Sequence, residues 1–414
     1  MRENILSNIS NPGGLEKLYR SNRSSFRREF LNLLPELEES NLAVFWKERL
    51  TYESDEISWG SGTDFIFVVA AAVVAGILAK LPAIVPVNEE FFYTRNAAFL
   101  VMPFLAIYFI RRNRAGIRII AWVAGAMALS LVYINILPGD PGSDTLALAC
   151  IHLPLLLWAV TGVSYTGSDH GSFLQRLGFM RFNGDLAVMA AMLVIAGVIL
   201  TGITIGLFSL IGIDIEQFWF EYLVIFAAPA VPILATHITT TNPHLVNKVS
   251  PVIARIFSPI VLIMLAVYLG AIIMSGKDPY NDREFLLLFN ILLIGVMALI
   301  FFSVAESSEK ETPASAVWVL FLLSGVTIVV NGIALSAISF RISEWGITPN
   351  RLAVLGINIL ILIHLLIVTV MLFKNIRRKA GIAETGRAIA FYIPVYVIWL
   401  VIVIFLFPLI FNFS

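Results

Sequence analysis

The amino-acid sequence predicts an all-helical polytopic membrane protein: a bundle of about eleven transmembrane helices behind a helical segment on the cytoplasmic side. Three observations lead there. The chain is 58% hydrophobic and 14% charged, whereas an ordinary soluble domain carries about 25% charged residues. Apolar runs of about 20 residues recur from Thr63 to the C-terminus, each long enough to cross a bilayer core as a helix. Lys and Arg gather in alternate connections between those runs. A transmembrane barrel would show short alternating segments instead. In lipid a continuous apolar run has to satisfy its backbone internally, which only a helix does.

Residues 1–62 are polar enough to lie outside the lipid. Leu15, Leu18, Tyr19, Phe26, Phe30, Leu33 and Leu34 recur at helical spacing, with Arg20, Arg23, Arg27 and Arg28 among them. Pro35 interrupts the pattern, and "NLAVFWKERL" starts another short helix. The segment reads either as a small helical cap or as a basic amphipathic element that rests on anionic lipid or on a cytoplasmic protein partner. The first residues lack the apolar core of a cleavable signal peptide, which leaves insertion to the first span.

Within the transmembrane domain, 63–414, the expected spans are 63–85, 97–111, 116–137, 145–165, 186–212, 222–239, 252–274, 285–305, 316–339, 352–373 and 388–412. With the N-terminus in the cytoplasm, 22 of the 28 Lys and Arg residues fall on that side, including the clusters around Arg111 and Arg377. The positive-inside rule favours this orientation. The outer connections are net acidic, which reads as a solvated surface or as a means of concentrating cations. The formal net charge of zero names no partner, and nothing points to nucleic acid. The single cysteine, Cys150, excludes an internal disulfide or a thiolate metal cluster, and no sequence feature requires a cofactor.

Ionisable and amide side chains inside a membrane are costly and so stand out as candidates. His364 and Asn358 lie in the tenth span, Asn331 in the ninth and His237 at the end of the sixth. They form a candidate intramembrane polar site, with interhelical hydrogen bonding as the alternative. His152 lies in the fourth span, and no His spacing matches a metal motif. Pro229 and Pro232 should kink or break the sixth span, a feature that lines substrate sites in some transporters. Gly202 and Gly206 form a GxxxG pair, which favours close helix contact. "NGDLAV" and "TNPHLV" read as helix starts.

The outer connections supply a second candidate site: Arg341, Glu344, Arg351, Asp278, Asp282 and Glu221. In "SFRISEWGITPNRLAVL", Thr348-Pro349 fits an N-cap and first helical position. Trp345 suits an interfacial anchor, and Arg341 is placed to pair with Glu344. Arg351 is left over in a first turn, where a cation opposes the helix dipole. It reads as a partner for a carboxylate or for an anionic group. In "SGKDPYNDREF", Asp278 and Asp282 offer oxygen ligands at a spacing that fits no EF-hand.

The phrases "EKLYRSNRSSFRREF", "FWKERLTYESDEISWG", "GKDPYNDREFLL", "SVAE" and "FRISEWGITPNRLAVLGINILILI" resemble the bacterial multi-pass membrane proteins grouped as domain of unknown function 4153. The resemblance covers most of the chain. It implies a bacterial cytoplasmic membrane protein and brings no reaction, substrate or catalytic residue.

No nucleophile, base and metal constellation supports an enzyme. The expected function is a transporter or permease-like protein for a small solute or ion, with a pathway near spans 5, 6, 9 and 10. The alternative is a membrane sensor, scaffold or assembly subunit.

Overall fold

The computed structural model describes residues 2–21, 23–37, 41–51, 59–138, 142–169, 171–247, 249–275, 280, 283–307 and 312–413. Every regular element among them is helical. The chain divides into two compact units, Met1–Ser58 and Trp59–Ser414.

The first unit holds α1 (Arg2–Ser7), α2 (Pro12–Ser21), α3 (Arg23–Leu37) and α4 (Asn41–Thr51). Their apolar faces meet one another. Ile5, Leu15, Phe26, Phe30, Leu33, Trp46 and Leu50 form a closed core. Phe26 stacks on Phe30 at 5.5 Å and packs on Trp46 at 5.1 Å. The periodic residues of this segment are therefore spent inside the unit, not on a lipid surface. α3 continues to Leu37, past Pro35. At the rim, Glu16 Oε1 accepts from Arg20 at 2.8 Å and from Arg49 at 3.1 Å. The Arg20 hydrogen bond, with the positive charges beside it, holds the Glu16 carboxyl below its usual value.

The second unit is a polytopic bundle. Its helices are α5 (Gly62–Ala79), α6 (Glu89–Arg112), α7 (Ile117–Ile136), α8 (Asp144–Thr166), α9 (Phe173–Leu210), α10 (Glu216–Ala227), α11 (Ala230–Thr241), α12 (Ser250–Ser275), α13 (Arg283–Ser307), α14 (Ala314–Trp345), α15 (Pro349–Ile376) and α16 (Ile382–Ile410). Among the described residues, ten helices are long and apolar enough to cross a membrane, and the bent pair α10–α11 makes an eleventh.

That pair behaves as one broken span, because it follows α5 antiparallel from end to end. Lys80, at the C-terminus of α5, donates to the Glu221 carbonyl at 2.8 Å and lies over the Tyr222 ring. Trp59, just before α5, offers its carbonyl to His237 at 3.1 Å. Between these ends Gly76 lies so close to Phe226 that a Cβ would sit 2.6 Å from the ring. The 44° bend falls at Ala228 and Pro229, where proline lacks an N–H and its ring clashes with the carbonyl four residues back.

α6 begins at Glu89, well before the expected span. Arg95 and Asn96 are buried here, not in a loop. Arg95 donates to the Ile134 and Leu137 carbonyls at the end of α7. Asn96 and Asn135 exchange amide hydrogen bonds at 3.0 and 2.8 Å. Satisfying the last carbonyls of α7 with a guanidinium makes the short second span possible.

α9 is 38 residues long, about 57 Å at 1.5 Å per residue. Its apolar part is almost entirely exposed on the bundle surface, with 6% of that window buried. A Cβ added at Gly202 or Gly206 would meet no atom within 4 Å, so among the described residues the GxxxG pair makes no close helix contact. The stretch "NGDLAV" lies inside α9 and starts no helix. Gly184 is there because a Cβ would sit 1.9 Å from the Phe302 ring of α13.

The largest buried cluster joins α12 to α16 through Leu293, Ile300, Leu323, Val330, Leu365 and Val368. A second joins α6, α7, α8 and α16 through Val123, Ala149, Leu157 and Ile404. A third binds α5, α6, α9 and α11 through Ala75, Phe109, Phe182 and Ile233. Short connections make successive helices antiparallel, so Arg111, Arg112 and the Lys374 cluster share one end of the bundle.

Candidate functional site

The intramembrane candidates separate into two places. Asn331 of α14 donates to the backbone carbonyl of Asn358 on α15 at 3.3 Å, and both side chains have 0% exposure. Asn331 Oδ1 and both amide atoms of Asn358 have no partner. His364 lies almost two turns further along α15 and also has 0% exposure. Its Nδ1 is 3.1 Å from the Tyr396 hydroxyl, which donates to Met297 Sδ at 3.4 Å. The Phe301 and Tyr392 rings flank the imidazole at 4.5 Å each, and Nε2 is left without a partner. This set is closed, packed between α13, α14, α15 and α16.

His237 belongs elsewhere. It projects from α11 toward α6, where its Nδ1 is 3.3 Å from the Tyr108 hydroxyl. Its Nε2 must carry the proton, because the Trp59 carbonyl opposite it can only accept. The Tyr108 hydroxyl also lies 2.6 Å from Thr240 Oγ1, which donates to the Thr236 carbonyl at 2.8 Å, and it accepts from Arg112 at 3.4 Å. Arg112 also donates to the Thr240 carbonyl at 2.9 Å, capping the end of α11. His152 bonds its own helix at the Leu148 carbonyl.

Among the described residues, the outer-connection candidates do not converge on one ligand position. Arg341 donates to the Tyr280 carbonyl at 2.8 Å and lies over Trp345. Glu344 is exposed and forms no ion pair with it. Arg351 donates to the Trp345 and Gly346 carbonyls at 2.8 Å each. It thus serves the C-terminus of the preceding helix, where a cation is favoured. Thr348 caps α15 by accepting from the Arg351 N–H. Glu221 contributes its carbonyl to Lys80. Asp278 and Asp282 lie outside the described residues.

A polar basin at the Arg-rich end stands apart from all of these. It is a cavity of about 460 Å³ where α6, α8 and α11 end and the first turns of α9 begin. Phe109, Tyr165 and Phe182 supply its aromatic wall, with ring centroids 5.1 to 5.5 Å apart. Arg112, Asn113, Gln175, Arg181, Asp185 and Thr239 supply its polar lining. Asn113 donates to the Ser164 and Tyr165 carbonyls and so caps α8. Thr239 is 4% exposed, and its hydroxyl has no partner.

Behind the basin Arg181 of α9 donates to Glu306 of α13 at 2.7 Å. The two side chains are 17% and 3% exposed. Glu306 also lines a second cavity of about 210 Å³ between α12, α13 and α14, where Ser258 and Ser303 face each other at 3.1 Å. The ion pair is the partition between the two cavities.

Sequence reasoning did not reach Gln175, Arg181 or Asp185. They precede the apolar run expected at 186–212, and charged residues there read as a connection. The available signal was the four-residue step from Arg181 to Asp185, which continues the helical period of the run that follows.

No family model matches the chain, and neither does any curated protein or solved structure. Among the described residues, no group of three or more His, Cys, Asp and Glu side chains is arranged to hold a metal ion.

Proposed function

We propose that this multi-pass membrane protein is a permease-like carrier of a small polar solute in the bacterial cytoplasmic membrane, a member of the family its phrasing resembles. The polar basin carries the reading. It is wide enough for a small molecule, and its wall includes the end of the broken span. Discontinuous helices beside a cavity are a recurring way to build a transport site. The positive-inside distribution supports a cytoplasmic face for the basin. The pathway follows α9 and α11, the fifth and sixth spans, while the Asn331, Asn358 and His364 set in the ninth and tenth spans is closed in this state.

Thiol accessibility tests this in a Cys150→Ser background, with Thr239→Cys in the basin, Ala235→Cys one turn deeper on α11, and His364→Cys. Membrane-impermeant reagents are applied from each side of sealed vesicles. A carrier lets Ala235→Cys react from both sides, because the pathway opens alternately. Reaction at Thr239→Cys alone, from the cytoplasmic side alone, would leave a binding site with no route across.

That outcome would favour the second reading, a sensor or scaffold. It draws on Met1–Ser58, which has its own core and is thus suited to contact a cytoplasmic protein.

A further inference from the structure

We propose that the cavity between α12, α13 and α14 holds the phosphate of an anionic phospholipid from the cytoplasmic leaflet. The assignment goes beyond the carrier reading and does not depend on it.

The cavity, of about 210 Å³, lies where α12 and α14 begin and α13 ends. Among the described residues, its charged side chains are Arg255 and Glu306. Glu306 is answered by Arg181 at 2.7 Å. Arg255 is exposed, and among the described residues its side chain makes no ion pair and no hydrogen bond. One positive charge is therefore left over at the cavity.

Hydrogen-bond accounting leads the same way. Thr312 spends its hydroxyl proton on the Ser307 carbonyl at 3.0 Å. Ser258 spends its own on the Ala254 carbonyl at 2.7 Å, so the 3.1 Å contact between Ser258 and Ser303 takes the Ser303 proton. The hydroxyls of Ser307 and Ser315 make no hydrogen bond among the described residues. With the Arg255 guanidinium they are the uncommitted donors of the lining. Pro313 provides no side-chain cap for α14, so the first N–H groups of that helix add to the surplus without carrying the assignment. Uncommitted donors around a spare positive charge suit a group with one negative charge and several acceptor oxygens, and a phosphodiester is such a group.

The surroundings name the source. The cavity lies at the end of the bundle that holds Arg111 and the Lys374 cluster, which the positive-inside distribution favours for the cytoplasm. From the cavity both flanking helices continue with exposed apolar side chains: Ile256, Phe257 and Ile260 on α12, Trp318 and Leu322 on α14. Acyl chains lie along such a surface while the headgroup stays at the interface. Trp318, one turn into α14, stands at the level where amphipathic rings anchor. Basic pockets between helices on the cytoplasmic side are recurring headgroup sites. A soluble anion would use the same donors and gain nothing from the apolar flanks.

Native mass spectrometry of the full chain in detergent compares phosphatidylglycerol with phosphatidylcholine of the same acyl chains, with inorganic phosphate as competitor. Phosphatidylglycerol should bind at least about tenfold more tightly. Arg255→Gln should reduce it to the level of phosphatidylcholine and leave phosphatidylcholine unchanged. Arg255→Lys keeps the charge but loses the planar fork, and should retain part of the preference. Arg378→Gln removes a charge at the same end of the bundle from a residue that does not line the cavity, and should change nothing.

Equal affinity for the two lipids would overturn the assignment. So would an Arg378→Gln loss as large as that of Arg255→Gln, which would mean a diffuse attraction to the basic surface. Displacement of phosphatidylglycerol by millimolar inorganic phosphate would give the cavity to a soluble anion instead. Undiminished phosphatidylglycerol binding by Arg255→Gln, in protein that resists dodecyl sulfate as well as the parent does, would remove the site.

Discussion

Breaking the Arg181–Glu306 pair should destabilise the bundle unequally from its two sides. The N–O separation is 2.7 Å, and the side chains are 17% and 3% exposed. Charges about 4 Å apart attract by about 4 kcal/mol at an effective dielectric of about 20. Removing one partner of a buried pair typically costs about 3–5 kcal/mol, because the other charge is left behind. Glu306→Ala leaves Arg181, which lines the basin and can take up water there, so the cost falls to about 2–3 kcal/mol. Arg181→Ala leaves the more deeply buried Glu306 carboxylate and costs about 3–5 kcal/mol. The double variant Arg181→Leu, Glu306→Leu leaves no charge and should cost less than either single change. Tryptophan fluorescence during titration of purified protein from dodecylmaltoside into dodecyl sulfate reads all four proteins. Additive costs would refute the reasoning, as would a Glu306→Ala loss larger than that of Arg181→Ala.

Packing, capping and the small unit give further tests. Gly356→Ala puts a Cβ 2.0 Å from the Trp399 ring and should cost about 1–3 kcal/mol in the same titration. Gly202→Ala and Gly206→Ala, which meet nothing, should stay within about 0.5 kcal/mol; a larger loss would mean that α9 is covered by something beyond this chain. Asn358→Leu removes an amide whose two side-chain atoms have no partner, so stability should rise by about 1 kcal/mol. A fall would show that this amide is partnered in the resting protein. Phe26→Ala empties the centre of the first unit and should cost about 3–5 kcal/mol, seen as rapid proteolysis within Met1–Ser58 while Trp59–Ser414 stays resistant. Glu16 has its carboxyl pKa lowered in the folded unit. Its contribution to stability is thus present above the unfolded value of about 4.3 and lost as pH falls through the lowered one. Glu16→Gln should flatten that acid limb of the unit's melting profile.

The membrane helices were legible because hydropathy dictates them one segment at a time. The same is true of the break at Pro229, which needs only the missing N–H. What escaped the sequence depends on a partner from another helix. Arg351 seemed misplaced when judged against the dipole of its own helix, yet it caps the preceding one through Trp345 and Gly346. Arg95 lies ahead of the span expected at 97–111, and its acceptors, Ile134 and Leu137, lie about 40 residues away, beyond any local pattern. Asn331 and Asn358 each stood out for polarity, and the structure brings them together. His364 and His237 stood out for the same reason, and the structure separates them. The basin was the largest omission. Its charged residues extend an apolar helix beyond the lipid, and a hydropathy reading ends a span where charge begins.

The basin and the closed His364 set are connected through a single helix, which makes their coupling testable. Glu306 holds Arg181 at the basin wall, while Phe301 and Met297 of the same α13 pack against His364 and Tyr396. Phe301 lies five residues from Glu306, about 7.5 Å along the axis. A helix is stiff over that distance, so a shift of α13 at the ion pair must also move the wall around His364. The unpartnered Asn331 Oδ1 and the unpartnered side-chain amide of Asn358 bias such a shift. Each buried polar atom without a partner costs about 1–3 kcal/mol, so an arrangement that supplies partners lies energetically close. Arg181→Ala is the cleanest perturbation, because Arg181 stands on α9 and touches no member of the closed set. With a coupling of about 0.5–2 kcal/mol, it should change the labelling rate of His364→Cys by about 2- to 30-fold in a Cys150→Ser background. The same rate with and without Arg181, in protein that remains folded, would make the two polar sets independent and confine the mobile part of the bundle to the helices around the basin.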